Sequence, residues 1–221
     1  MSQRFPFARH WVDLGPPSSL NLCMEIDTEQ LRPGLATFST AIGWCGVVWR
    51  DDLLLGLQLP EATAILTRNR LARRFPNAID RSPPPAVQTV IEEIKRLIEG
   101  HAEDLRAAAL DLDGVPEFNR RVYALARAIL PGRTRTYGDI ATDLGDLALS
   151  RAVGKALGEN PFPIVVPCHR VLGAGGKIGG FSANGGAATK ARLLAIEGAR
   201  TTDAPSLFDD ASTFSIAPGR R

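Results

Sequence analysis

The chain has 221 residues, 44% apolar and 23% charged, the profile of an ordinary globular protein of one large or two small domains. No run approaches the roughly 18 apolar residues of a membrane span, and "MSQRFPFARHWVDLG" lacks the apolar stretch of a signal peptide, so a cytosolic protein with no membrane partner is expected. The net charge of +2 is uneven: residues 117–200 hold 12 Lys/Arg against 6 Asp/Glu and the remainder 14 against 18, which suggests a polyanion for the basic part, an ordinary solvated surface being the plain alternative.

Residues 1–34, with "GPPSS" and "RPG", read as a loosely ordered lead-in. Three apolar runs follow, "LATFSTAIGW", "CGVVWR" and "LLLGLQL", the last two parted by Asp51-Asp52, and they predict an antiparallel meander. "EATAILTRNRLARRF" predicts a helix with Ile65, Leu66 and Phe75 inward. After Pro83 to Pro85, the spacing of Val87, Val90, Ile91, Ile94, Leu97 and Ile98 predicts a second helix whose apolar face covers the sheet. "RAAALDLDG" predicts one more strand, so residues 35–114 read as a small α/β domain.

From Pro116 to residue 200 the pattern turns mainly helical. Phe118, Val122, Leu125 and Ile129 mark one helix face, ended by "PGRT". "YGDIATDLG", with Asp139 as N-cap and Gly145 as stop, and "DLALSRAVGKALGENP" suggest a helix-turn-helix. "ATKARLLAIEG" closes this part as a helix with Leu193, Leu194 and Ile196 inward, and residues 201–221 read as a flexible tail.

Three cysteines, Cys23, Cys45 and Cys168, argue against a disulfide framework. With no C-x-x-C and with His10, His101 and His169 scattered, no zinc is expected; the one exception the sequence allows is an amino-terminal set of Cys23, Cys45 and His101. The chemistry concentrates in "PIVVPCHRVLGAGG", residues 163–176. "FPIVV" predicts a buried strand ended by Pro167, which places Cys168 where a strand gives way to a loop. A thiol of pKa near 8.5 is only slightly ionised at neutral pH, so a nucleophilic Cys168 needs help. His169, as the next residue, points away in extended chain, so a direct bond requires a sharp turn or an intervening water. Arg170 adds positive charge, and Glu197 could orient the imidazole. The plain alternative is a buried cysteine beside a histidine satisfied by backbone.

The string "RAVGKALGENPFPIVVPCHRV", the glycine-rich loop and "KARLLAIEG" resemble the O6-alkylguanine-DNA alkyltransferases, strongly from Phe118 to Gly198 and more weakly over 35–114. The resemblance implies a ribonuclease-H-like amino-terminal α/β domain and a winged-helix-like carboxy-terminal domain carrying the helix-turn-helix. It implies a monomer that binds duplex DNA, flips out O6-alkylguanine, or O4-alkylthymine, and moves the alkyl group irreversibly onto its own cysteine. In these terms Cys168 is the acceptor, His169 its water-relayed base, Glu197 the group holding the imidazole, and Tyr137 the phenol that eases departure of guanine. Arg151 matches the finger that fills the vacated stack, a phosphate contact being its simpler role. Ser150, Ala152, Gly154 and Lys155 belong to the helix laid against the minor groove. Asn160 matches the family's hinge asparagine, with helix capping as the simpler reading. Val171, Phe181, Ser182 and Arg170 fall around the substrate pocket. Phe181 stands where several relatives have tyrosine, and the loop after it is two residues longer than in some. The rival classes are a non-catalytic damage-binding protein of the same fold and a cysteine hydrolase. In the tail, "SLF" with Leu207 and Phe208 faintly resembles the motifs that dock repair proteins on the sliding clamp, without their leading glutamine.

Overall fold

The computed structural model describes residues 32–199. Cys23, most of the lead-in and the tail with Leu207 and Phe208 lie outside the described residues.

The meander forms as expected. Strands β1 (Gly34–Thr40), β2 (Gly43–Arg50) and β3 (Leu53–Gln58) pair antiparallel, with Gly34 opposite Trp49 and Thr40 opposite Gly43. The first run splits at Ala41-Ile42, so that Gly43 (φ 126°) and Trp44 open β2. Asp51 adopts φ 51° in the next turn, a conformation its short polar side chain tolerates. Helix α1 (Ala64–Arg74) is capped by the Thr63 hydroxyl, which accepts from the Leu66 N–H.

Here the inward face differs from the expected one. Ile65 and Leu66 are exposed, at 70% and 46%, while Thr67 and Leu71 are buried. The Thr67 hydroxyl donates to the Trp44 carbonyl and accepts from the Glu61 N–H, so a polar residue sets the helix rotation. Leu71 then lies on Leu35 and Val48, with Phe75 packed beside them. After α1 comes β4 (Ile79–Asp80), parallel to β1, too short to announce itself by period; the sheet order is β3-β2-β1-β4. On the other face α2 (Pro85–Ile98) buries all six apolar residues read from its spacing.

"RAAALDLDG" is not a strand. It makes a 3-10 turn at Leu105–Ala107 and a single bridge, Leu110 to Leu54. Asp104 and Asp111 side chains accept backbone N–H groups two residues on, which bends the chain. Arg127, from the next helix, takes the carbonyls of Leu105, Arg106 and Ala108.

The carboxy-terminal half opens with α3 (Glu117–Arg127), which buries Val122, Tyr123 and Ala126, Phe118 and Leu125 being partly covered and Ile129 buried just beyond. The short strand β5 (Arg135–Thr136) leads into α4 (Tyr137–Asp143). The N-cap is Thr136 rather than Asp139: its hydroxyl accepts from the Asp139 N–H while the Asp139 carboxylate accepts from the Thr136 N–H, so Asp139 is the third-residue partner of a capping box. Gly145 (φ 108°) follows the helix end as expected. A 3-10 turn at Leu147–Leu149 runs into α5 (Ser150–Gly158), which packs on α4 and α3. Strand β6 (Val171–Leu172) pairs parallel with β5 and so ties the start of α4 to the residues after Cys168. Helix α6 (Gly186–Ile196) closes the chain, with Leu193 and Leu194 buried and Ile196 partly so. One apolar cluster runs from Val47 and Leu57 through α2 to Val122, Ile140, Val153 and Cys168. Among the described residues no helix is long and apolar enough to cross a membrane.

Candidate active site

The segment before Cys168 is buried as predicted but is not a strand. Phe162, Ile164, Val165 and Val166 are each at most 4% exposed, yet the Val166 N–H donates back to the Phe162 carbonyl at 2.8 Å, closing a tight turn. Asn160 brackets it: its Nδ2 donates to the Val166 carbonyl at 2.8 Å and its Oδ1 accepts from the Phe162 N–H at 2.9 Å. Asn160 therefore braces the turn instead of capping α5. The Pro161 carbonyl accepts from the Leu57 N–H, which docks the turn on β3. Ile164 is held at φ 76°, unfavourable for a β-branched residue. β-branched composition signalled burial correctly; the side-chain amide of Asn160 replaced the strand pairing that burial would otherwise require.

After Pro167 the chain makes a 3-10 turn, Cys168–Arg170. Cys168 is 8% exposed and His169 1%. His169 Nε2 lies 2.9 Å from Glu197 Oε1; the carboxylate only accepts, so Nε2 donates and Nδ1 keeps a lone pair. Nδ1 is buried and has no hydrogen-bond partner among the described residues. Glu197 also receives Arg170 Nε and Nη2, both at 2.8 Å, and Arg170 Nη1 donates to the Ile129 carbonyl at 2.5 Å. His169 and Arg170 hold the Glu197 carboxyl down at about 2 against its burial, and burial pushes His169 below its ordinary value. The imidazole is thus neutral at pH 7, as a base must be. Burial pushes the Cys168 thiol up, opposed by the Asn160 amide, the Lys190 charge and the N–H groups of Cys168 and His169.

Arg170 was expected at the substrate pocket and as a charge for the thiol. It is 5% exposed and committed to Glu197 and Ile129, so it holds the carboxylate instead. The cation acting on Cys168 is Lys190, which the sequence reading missed. Lys190 is fully buried, its Nζ donating to the Val171 carbonyl at 2.6 Å and lying 5.6 Å from the Tyr137 ring centroid. Its signal was available: three and four residues before Leu193 and Leu194, it shares their inward face.

Tyr137, the first residue of α4, is half-buried, and burial raises its phenol. Any Cβ at Gly179 would sit 3.7 Å from the Tyr137 hydroxyl, and one at Gly154 would sit 3.9 Å from its ring. A cavity of about 250 Å³ brings together Cys168, Asn160, Phe181 and Ser182, with Pro163 and Leu157. Val171 and Arg170 do not line it: the Val171 side chain is in the core and its carbonyl is taken by Lys190. On the outer side a groove of about 630 Å³ collects Tyr137, Leu147, Ser150, Arg151 and Gly154. The Ser150 hydroxyl donates to the Leu147 carbonyl. Arg151, Ala152 and Lys155 are exposed along α5, with Lys155 3.9 Å from Glu159.

Among the described residues no three His, Cys, Asp or Glu cluster as a metal site. Cys45 faces the core beside Thr40, its thiol pushed by burial to about 12, and Cys23 of the amino-terminal set lies outside the described residues.

Residues 117–199 match the family described as the 6-O-methylguanine DNA methyltransferase DNA-binding domain. A methylated-DNA–protein-cysteine methyltransferase of Methanothermobacter thermautotrophicus is 36% identical over 153 residues, 69% of this chain and 78% of the relative. One of Mycolicibacterium paratuberculosis is 36% identical over 173 residues, 78% of this chain and 97% of the relative. The structure is similar to that of Mycobacterium tuberculosis OGT in complex with DNA, with a TM-score of 0.60, 32% identity, and 75% and 92% of the two chains covered. At 36% identity over 97% of one such relative, and with the fold of the DNA-bound OGT structure, this chain belongs to the methylated-DNA–protein-cysteine methyltransferase family.

Proposed function

We propose that Cys168 is the alkyl acceptor and that the cavity beside it receives O6-alkylguanine, or O4-alkylthymine, flipped from duplex DNA. The observation that carries this reading is the bond from His169 to Glu197, which leaves Nδ1, buried and without a hydrogen-bond partner among the described residues, on the residue that follows Cys168. In the step, a water passes the thiol proton to His169 Nδ1. The sulfur forms a bond to the alkyl carbon as the carbon–O6 bond breaks, and its electron pair goes to guanine. Guanine takes up one proton, equal to the one the thiol gave up, with Tyr137 positioned as the donor. No cofactor enters the balance. Because thioether formation has no reverse partner, each protein acts once.

Arg151, exposed beside Tyr137 and without an ion pair among the described residues, suits insertion into the vacated stack, which offsets part of the few kcal/mol that flipping costs. Small residues around it, Ser150, Ala152 and Gly154, let α5 approach the minor groove, with Lys155 toward phosphate. Ser182 supplies a donor to O6. We read the amino-terminal sheet as ribonuclease-H-like, the α4–α5 pair as a winged-helix-like helix-turn-helix, residues 35–114 and 116–200 as the two domains, and the protein as a cytosolic monomer. A hydrolase would require an oxyanion hole and a release step, and a non-catalytic damage-binding protein of this fold lacks the reactive cysteine that stands here at position 168.

Stoichiometry tests the proposal. Methyl loss from O6-methylguanine duplex should stop at one equivalent per protein, and Cys168→Ala should lose transfer while keeping DNA binding. Continued turnover, or transfer by the alanine variant, overturns it.

A further inference from the structure

The cavity beside Cys168, about 250 Å³, has to hold the flipped base together with its alkyl group, and its lining bears on which alkyl groups fit. Its lining is mixed: Leu157, Pro163, Phe181 and Leu57 give apolar surface, while Gln58, Asn160 and Ser182 are polar. The other half of the chain contributes Arg70 and Arg74 from α1.

The two arginines differ. Arg70 is paired to Glu61 at 2.8 Å. Among the described residues Arg74 has no carboxylate partner; there its Nη1 and Nη2 make long contacts, 3.3 Å and 3.4 Å, to the Leu57 and Pro161 carbonyls, and its guanidinium lies 5.1 Å from the Phe75 ring centroid. Burial and the charge of Arg70 both push its pKa down, so the site would gain from an anion. The one acid lining the cavity, Glu159, is turned to Asn119 at 3.3 Å and Lys155 at 3.9 Å. A planar fork of donors lining the same cavity as Cys168 and the apolar Leu57, Leu157, Pro163 and Phe181 is the geometry that takes a carboxylate.

Resting on the reading of Cys168 as acceptor, we propose that Arg74 makes this protein selective for O6-alkyl groups ending in a carboxylate, the methylenes lying along the apolar walls and the carboxylate on the guanidinium. The transfer step is unchanged: sulfur displaces O6 at the first carbon, and the ω-carboxyalkyl group stays on Cys168. Arg74 is a specificity residue and takes no part in the bond change.

The test compares single-turnover rate constants for O6-(3-carboxypropyl)guanine and O6-butylguanine, as free nucleosides and in duplex. The two chains are alike in length and in the electronics of the reacting carbon. The intact protein should favour the carboxylate by about fivefold as nucleoside, the gain of one partly solvated ion pair, and added salt should erode the preference. Arg74→Gln should bring the ratio near one, and Arg74→Lys should keep part of it. A ratio of one or below in the unmodified protein overturns the proposal without any variant. So does an Arg74→Gln protein that loses carboxypropyl and butyl transfer equally in duplex, which would assign Arg74 to a DNA phosphate. Absence of butyl and methyl transfer alike would instead refute the acceptor role of Cys168.

Discussion

Of three consecutive residues in a 3-10 turn, Cys168 lines the cavity while His169 and Arg170 both turn to Glu197, and that split makes the site. The sequence reading named Glu197 as the group that orients His169, and the two are hydrogen-bonded. It misplaced Arg170 because charge alone does not say which carboxylate will claim it. Glu197 serves both, so Glu197→Gln leaves Arg170 buried without its anion and should cost about 3 kcal/mol in urea unfolding, beyond any loss of transfer. The pH dependence has a definite sign. The Glu197 carboxyl is lowered from 4.5 to about 2 by folding, so its stabilisation is complete above 4.5 and is lost as pH falls toward 2. Folded His169 also lies below its 6.5 reference, which adds stability above 6.5 that is lost on acidification. The urea midpoint should therefore fall as pH drops below about 6.5, and a midpoint that rises instead contradicts the buried pair.

At the scale of elements, helices with wide apolar faces were legible, and α2 is the clearest. What the sequence hid was wherever a polar side chain overrode the apolar pattern: Thr67 rotates α1 away from Ile65 and Leu66, Asn160 folds "FPIVV" into a turn, and Arg127 with the aspartates prevents a strand at "RAAALDLDG". Two measurements follow. Thr136→Ala removes the N-cap of α4 and should cost about 1 kcal/mol of stability, which a thermal or urea midpoint reads. At Ile164 the positive φ inverts the usual order: both small substitutions lose the buried side chain, but Ile164→Gly should be more stable than Ile164→Ala by about 1 kcal/mol. The ordinary order, alanine above glycine, would show that the turn is not strained there.

For the whole molecule, the charge asymmetry read at the start acquires a location: exposed Arg151 and Lys155 lie on α5, while the acceptor opens into a cavity walled by both halves of the chain. The sequence reading grouped Phe181 and Ser182 with Cys168 and grouped Tyr137 with Arg151, but the wall that the amino-terminal half gives the cavity was not legible, since it joins Leu57 and Arg74 to Cys168 across more than half of the described residues. Arg151→Ala should slow transfer from duplex by about tenfold or more, the equivalent of losing part of the few kcal/mol that offset flipping, and should change transfer from free O6-alkylguanine much less. Equal losses would remove Arg151 from the flipping step. The central claim is the identity of the acceptor. Incubation with duplex containing O6-methylguanine, followed by peptide mass mapping, should find one added methyl on the peptide with Cys168 and none on that with Cys45, whose thiol burial holds near 12. An unmodified Cys168 in protein that has removed the methyl group from DNA would contradict the account.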